Sequence, residues 1–338
     1  MKRLWIILLA GAAAVAAAIV VVWPSSRQSL VLYSAVDYGQ PVAEAFTRET
    51  GIPVTVIPIS TGPLLAKVSA EGTRPGWSLI WFDGDEAMAA LDTAGLIAKD
   101  TTPELPWTAM GKSLVPADGA WTPTGISLAG VFSYRGSLAT PPATWSDLLK
   151  PQFAGLVGMN NPTISGPMFP LLAGLLSDHG GWTAGQDFML GLHHNGLHIY
   201  PRNDDTLAAL EAGDIKVAVT QSSAAWFSAR SDASMRVVIP EPAYVLPSTI
   251  ATAASLSGAN LKAAKEFIRF VMRPDIQQLR IEEGGGDGLF WPLTTDVTTR
   301  DPALPALDTL HLERVDPSYW GAKQPEISRW FSTAMVGE

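Results

Sequence analysis

The sequence predicts an α/β fold of parallel or mixed sheets flanked by helices, and three observations predict it. Short apolar runs of strand composition alternate with helical patterns through the first part of the chain, the order that builds a helix-covered parallel sheet. Polar turns recur where those strands end, which is where such sheets bind ligands. A length of 338 residues, 47% of them hydrophobic, suffices for about two domains with cores of their own.

Residues 29–34 read as the first strand, ending in the turn Ser34-Ala-Val-Asp37-Tyr38-Gly39. Residues 41–50 carry Val42, Ala45 and Phe46 at helical spacing, and Gly51 stops them. Residues 52–59 form the next strand, and Ser60-Thr61-Gly62-Pro63 opens a helix over 64–71. Residues 78–82 form a third strand, ended by Asp83-Gly84-Asp85. Residues 156–176 read as a short strand, a polar turn and an apolar helix. In that turn Asn160, Asn161, Thr163 and Ser165 are turn- and cap-forming types. Pro167 and Pro170 fit the first turn of a helix, and Gly166 admits close backbone approach. The resulting helix N-terminus, with unpaired N–H groups, suits an anion, although an ordinary capped helix would read the same way.

A formal net charge of −9 leaves no basic footprint for nucleic acid. It does not exclude an anionic small ligand, because net charge is screened over roughly 8 Å at physiological salt. The chain has no cysteine, so disulfides, thiolate metal sites and lipid attachment through cysteine are impossible. Lys2 and Arg3 precede an apolar run over 4–23 closed by Pro24-Ser25-Ser26, the pattern of an export signal. The run is long enough to span a bilayer, and Ala16-Ala17-Ala18 offers a cleavage site within it. A cleaved signal and a retained anchor over residues 1–28 both stay open, and both place the remainder outside the cytoplasm.

An ordered set of short motifs then carries a family resemblance. Tyr33-Ser-Ala35, Ala45-Phe46, Thr50-Gly-Ile-Pro-Val54, Leu64-Leu-Ala-Lys-Val68, Ala70-Glu-Gly72 and Ala94-Gly-Leu96 come first. Pro141-Pro-Ala-Thr-Trp-Ser-Asp-Leu-Leu149, Pro151-Gln-Phe-Ala-Gly155 and Asn161-Pro-Thr-Ile-Ser-Gly166 follow. Leu210-Glu-Ala-Gly213, Val217-Ala-Val219, Ala263-Ala-Lys-Glu-Phe-Ile268 and Gln277-Gln278 complete it. The set resembles periplasmic substrate-binding proteins of ABC importers, in the subgroup of ferric-iron, phosphonate, sugar-phosphate and polyamine binders.

The resemblance implies the two-lobed type II periplasmic-binding-protein fold, with a hinge that closes on ligand. It implies a first lobe over 29–130 and 248–300, a second over 131–247, and a C-terminal loop and helix over 301–338. Crossovers are expected near 131–134 and 244–250, and the last helix over 325–335. Function follows as capture of a small solute by a monomer outside the cytoplasm, for an inner-membrane ABC permease, with no cofactor, no catalytic residue and no nucleic-acid partner. A membrane-tethered sensor, a ferric-iron binder with non-standard ligands, and a secreted serine hydrolase are the alternatives.

For the ligand, iron-binding relatives place paired tyrosines where this chain has Ala224 and Ala225, before Trp226, so no metal site is expected. The anion-contacting places match better, at Ser165, Gly166 and Asn203, with Arg202 as the nearest counter-charge. An oxyanion group (phosphonate, phosphate or carboxylate) is therefore expected, also contacted by Ser60, Thr61 and Gly62. Ser34, Asp37, Tyr38, Asp83 and Trp226 complete the candidate ligand-binding set; Asp83 and Asp85 could instead hold an amine, or Asp37, Asp83 and the tryptophans a cation or neutral molecule. Among twelve tryptophans, Trp81, Trp121, Trp226 and Trp291 fall near strand ends and are candidates for the cleft wall. His194 and His198 are separated by Asn195-Gly196, which argues against the helix a metal pair would need. Gly125-Ile-Ser127-Leu-Ala129 lacks the second glycine of a nucleophile elbow. Gly284-Gly-Gly-Asp287-Gly288 reads as a loop without dinucleotide spacing.

Overall fold

A computed structural model describes residues 28–298 and 300–337. The expected export or anchor segment therefore lies outside the described residues. Among those described, no helix is long and apolar enough to cross a membrane.

The first lobe opens with β1 (Leu30–Ser34), α1 (Gly39–Thr50), β2 (Val54–Pro58), α2 (Thr61–Glu71), β3 (Leu79–Asp83), α3 (Asp85–Thr93), α4 (Ala109–Leu114) and β4 (Trp121–Leu128). The chain then enters the second lobe with β5 (Val131–Arg135), β6 (Val157–Asn160), α5 (Met168–Asp178), α6 (Gly181–His194), β7 (His198–Tyr200), α7 (Asn203–Ala212), β8 (Val217–Thr220), α8 (Ser222–Ser231) and β9 (Met235–Val238). It returns through β10 (Ala243–Thr252), α9 (Gly258–Val271) and α10 (Pro274–Glu283), and ends with β11 (Leu312–Glu313) and α11 (Pro317–Phe331). Each lobe holds one mixed sheet. The first runs β2-β1-β3-β10-β11 with β4 also on β10, and the second runs β7-β6-β8-β5-β9. β1 is parallel to β2 and β3, and β6 to β7 and β8, whereas β10 and β5 are antiparallel to their neighbours β3 and β8.

Local chemistry accounts for these elements. β3 is Leu-Ile-Trp-Phe-Asp, buried throughout, as a strand covered on both faces requires. α1 stops at Gly51, whose φ of 72° admits the left-handed conformation and lets its N–H reach Thr47 O. Phe46 of α1 meets Phe267 and Phe270 of α9 edge-on at 5.1 and 5.3 Å, closing one side of the first sheet. α5 is buried along every residue from Met168 to Leu176, so it serves as the central helix of the second lobe.

The two expected crossings and the expected last helix are corrected here. β5 pairs only within the second sheet and β10 only within the first, so the chain crosses between lobes at residues 129–130 and 239–242, not along 131–134 and 244–250. Pro247 sits inside β10, next to the register shift at Ser248/Thr249. The last helix begins at Pro317, capped by Asp316, whose carboxylate accepts from Ser318 N and Tyr319 N. Pro325 is therefore inside it, where the missing N–H leaves Gly321 O without its helical donor.

The lobes touch. Gly62 N donates to Ile164 O at 3.1 Å, and Gln221 Nε2 donates to Asp83 Oδ2 at 2.9 Å. α11 packs on α3, while its Trp320, Ile327 and Phe331 join the core of the second lobe. A Cβ on Gly62 would stand 2.1 Å from Thr163 O, and one on Gly166 would stand 2.3 Å from Thr61 Oγ1. Both clashes lie across the lobe contact, so Gly62→Ala and Gly166→Ala should hold the lobes apart without unfolding either. Small-angle scattering should show a larger radius of gyration than wild type at nearly unchanged melting temperature. Superimposable profiles would mean that closure does not pass through this contact.

Candidate functional site

Between the lobes lies a cleft of about 500 Å³. The first lobe contributes the residues after β1, β2 and β3; the second contributes the turn before α5, the start of α7 and Gln221 before α8. Strand ends and helix N-termini thus converge from both sides, as the open α/β topology dictates. Ser60, Thr61 and Gly166 line this cleft. Among the described residues their N–H groups donate to no backbone or side-chain acceptor. α2 has no side-chain cap at Ser60, so the first turn of that helix keeps its donors unspent.

Charge in the cleft is mostly negative. Asp37, Asp83, Asp204 and Asp287 line it, with Arg202 the one cationic lining residue among those described. Burial pushes the Asp83 carboxyl up to about 6, against opposing hydrogen bonds from Ser248 and Gln221 and the charge of Arg280. Burial also raises Asp287 well above the ordinary carboxylate range, and the charges of Asp83 and Asp37 add to it. Asp37 is raised by desolvation and then by Asp204, with Arg202 opposing. Asp287 Oδ2 accepts from Asp37 N at 2.9 Å, which ties the turn after β1 to the turn after α10. Such a set of mutually repelling carboxylates is suited to a cation or to hydrogen-bond donors.

The side of the cleft belonging to the second lobe is held by an amide network. Asn160 Nδ2 donates to Asn203 Oδ1 at 2.6 Å, and Gln221 N donates to the same oxygen at 3.3 Å. The Asn160 side-chain amide also lies 2.6 Å from Thr206 Oγ1, whose hydroxyl donates to Arg202 O at 3.1 Å. Asn203 is therefore engaged within the protein at its oxygen, and its Nδ2 points to Gln221 Oε1 at 3.4 Å. Ser165 Oγ stands 3.3 Å from the Asn160 side-chain amide, on the wall of the cleft.

Of the candidates read from sequence, Ser34, Asp37, Ser60, Thr61, Asp83, Ser165, Gly166 and Asn203 are brought to this one cleft, as is Arg202. Gly62 lies behind it, at the lobe contact. Tyr38 is fully buried, its hydroxyl 2.8 Å from Ser248 Oγ and its ring 5.0 Å from Trp81. Trp226 packs edge-on to Trp291 at 5.8 Å, outside the lining. Trp81 and Trp121 are likewise core residues, because their large apolar rings complete the first sheet's packing. Ser127 is a mid-strand residue of β4 that accepts from Gln221 Nε2 at 3.1 Å, not a residue on a strand-to-helix turn. α6 ends at His194 and His198 begins β7, so no helix carries both. Among the described residues no cluster of three or more His, Asp or Glu is arranged for a metal ion.

Asp204, Gln221, Arg280 and Asp287 escaped the sequence reading. Asp287 had a signal, since a lone acid in a run of glycines has backbone around it that can approach a ligand closely. Asp204 stood next to the asparagine already singled out. Arg280 had none, being an ordinary residue of an ordinary-looking helix.

No curated protein sequence matches the chain. Among solved structures it is similar to iron-bound HitA from Pseudomonas aeruginosa, with 21% identity, a TM-score of 0.74, and 89% of this chain and 98% of that one covered. It is similar to AfuA from Actinobacillus pleuropneumoniae, solved with fructose-6-phosphate, at 17% identity and TM-score 0.79, covering 91% and 98%. A periplasmic thiamin binding protein matches at 17% identity and TM-score 0.71, covering 91% and 96%. These likenesses share the two-lobed type II fold. The model of the bacterial extracellular solute-binding protein family matches residues 42–307, and the chain belongs to that family.

Proposed function

We propose that the cleft takes a small solute carrying an oxyanion group and, beside it, a cationic nitrogen, which the protein delivers to an ABC permease. One observation supports this reading above others: unspent N–H groups of Ser60, Thr61 and Gly166 share a cavity with four carboxylates. The donors suit the anion, as does the hydroxyl of Ser165. Asp37, Asp204 and Asp287 suit the nitrogen. We take the lobes as residues 29–128 with 243–300, and 131–238, moving about the crossings at 129–130 and 239–242, and the protein acting as a monomer. HitA is described as iron-bound and AfuA as holding fructose-6-phosphate, so the fold itself does not select a ligand.

Native mass spectrometry of freshly purified protein should reveal a co-purified solute of this type. Calorimetry with an alkyl chain of one length would then separate the two ends. An aminoalkyl phosphonate or carboxylate should bind, whereas the plain alkylamine and the plain alkyl phosphonate should each bind roughly ten- to hundredfold more weakly, the worth of one charge-assisted bond. Ser165→Ala should weaken the zwitterion by a similar factor, and so should Asp204→Asn. If Asp204→Asn and Asp37→Asn both leave affinity unchanged, the cation half of the proposal is wrong.

The raised carboxyl of Asp83 adds a pH dependence. In the folded, ligand-free protein this group holds its proton up to about 6, above the ordinary carboxylate value. The folded state thus binds more protons than the unfolded chain in that window, and stability falls as pH rises from about 4 through about 6. Affinity for a cationic group should move the other way, weakening as pH drops through 6, because the carboxyls must be charged to hold it. Thermal melts and titrations between pH 5 and 7 should show the opposed trends, and Asp83→Asn should flatten both. Parallel trends would contradict the assignment.

Ferric iron provides a last test. Tyr38 is buried behind the cleft, and Ala224 and Ala225 supply no oxygen. Loading with ferric salt should give no visible tyrosinate-to-iron band; a band with stoichiometric iron would establish a metal site instead.

A further inference from the structure

Behind the lobe contact at Thr61 and Gly166 lies a second cavity of about 380 Å³. Its walls are α2 and α3 of the first lobe, residues 162–170 of the second, and α11. They are mostly apolar, with Leu65, Ala87, Leu91, Phe169 and Pro170 among them. No Lys, Arg or His lines the cavity, but two acids do, Asp83 and Glu86.

Glu86 is 3% exposed, and its Oε2 is buried without a hydrogen-bond partner among the described residues. Asp83, by contrast, is satisfied by Gln221. The neighbouring acid Asp85 is paired with Arg314, whose other donor reaches Ser113 O, so that guanidinium is already engaged. A Cβ on Gly321 would come within 2.1 Å of Glu86 O, so α11 closes directly over the start of α3. An orphaned buried carboxylate in a roomy apolar cavity is an unmet demand for a donor.

We propose that this cavity is a second ligand site, for a small organic cation with an ammonium group on an apolar body, the nitrogen held by Glu86. The apolar walls would take the body, and the absence of any lining base leaves the carboxylates to choose the sign of the ligand. Burial and the charge of Asp85 push the Glu86 carboxyl up to about 8, against its own backbone N–H and Arg314, so near neutral pH it is the arriving cation that would ionise it. Because the walls come from both lobes and from α11, an occupant binds the closed arrangement better than an open one and shifts the population toward closure. The site does not depend on what the cleft binds.

Full-length protein titrated with 4-fluorobenzylamine and followed by fluorine NMR tests this. Wild type should show saturable one-to-one binding, and 4-fluorobenzyl alcohol should bind at least tenfold more weakly. Glu86→Gln should weaken the amine roughly ten- to hundredfold. Ala66→Trp, at an exposed position on the cavity wall, should block it without disturbing a core. The pair Asp37→Asn and Asp204→Asn, in the cleft, should leave it unchanged. Absence of saturable binding to wild type would overturn the proposal. So would equal binding by Glu86→Gln and wild type, or binding lost in the cleft variants and kept in Glu86→Gln.

Discussion

The arrangement of the cleft depends on one buried cation. Arg280 is fully buried, and its guanidinium donates to Thr124 O at 2.6 Å. Its remaining nitrogens Nε and Nη2 have no hydrogen-bond partner among the described residues. They are surrounded instead by aromatic faces, with the guanidinium carbon 4.1 Å from the Phe290 ring centre, 4.3 Å from Tyr38 and 5.3 Å from Trp81. Desolvation pulls this group down from its ordinary value, and the nearby Tyr38, Asp83 and Asp287 oppose that. An arginine resists deprotonation even so, and cation–π contact recovers part of the lost hydration. It stands behind Asp83 and Asp287 as a fixed positive charge. Its charge draws Asp83 back toward ionisation, against the burial that raises that carboxyl.

That constraint also explains why Trp81 and Tyr38 lie where they do. A buried guanidinium demands aromatic walls, and the rings that meet it come from the turn after β1, from β3 and from the segment after α10. Aromatic side chains near strand ends therefore need not belong to a ligand. Here they support the acids from behind.

Legibility in the sequence followed the same physics. The α/β class, the early strands and helices and the turn before α5 could be read because hydrophobic period and turn chemistry are local. Gly51, with φ of 72°, ended its helix as its residue type requires. The crossings between lobes were placed a few residues late, since the strands on either side have the same apolar composition whichever sheet they join. Pro325 resembles a first-turn proline in sequence, whereas the helix starts at Pro317, a second proline that does occupy a first turn. The anion-facing residues were visible as turn-formers near one another in sequence. The acidic character of the cleft was not, because Asp37, Asp83, Asp204 and Asp287 come from four distant segments and acquire their mutual repulsion only on folding.

Asp83 is where these threads meet. It ends β3, lines the cleft and the cavity behind it, and accepts Gln221 from the opposite lobe. Its carbonyl also lies 3.0 Å from where a Gly166 side chain would begin. A single residue thus forms part of the wall between two cavities and part of the contact that closes them. Charge at Asp83 strengthens the hydrogen bond from Gln221 and raises the cost of burying the carboxylate, so closure and the demand for a cation rise together. A neutral ligand could close the lobes sterically, but it would leave that cost standing. The chemistry of the contact therefore favours a solute that brings positive charge to one end of the cleft.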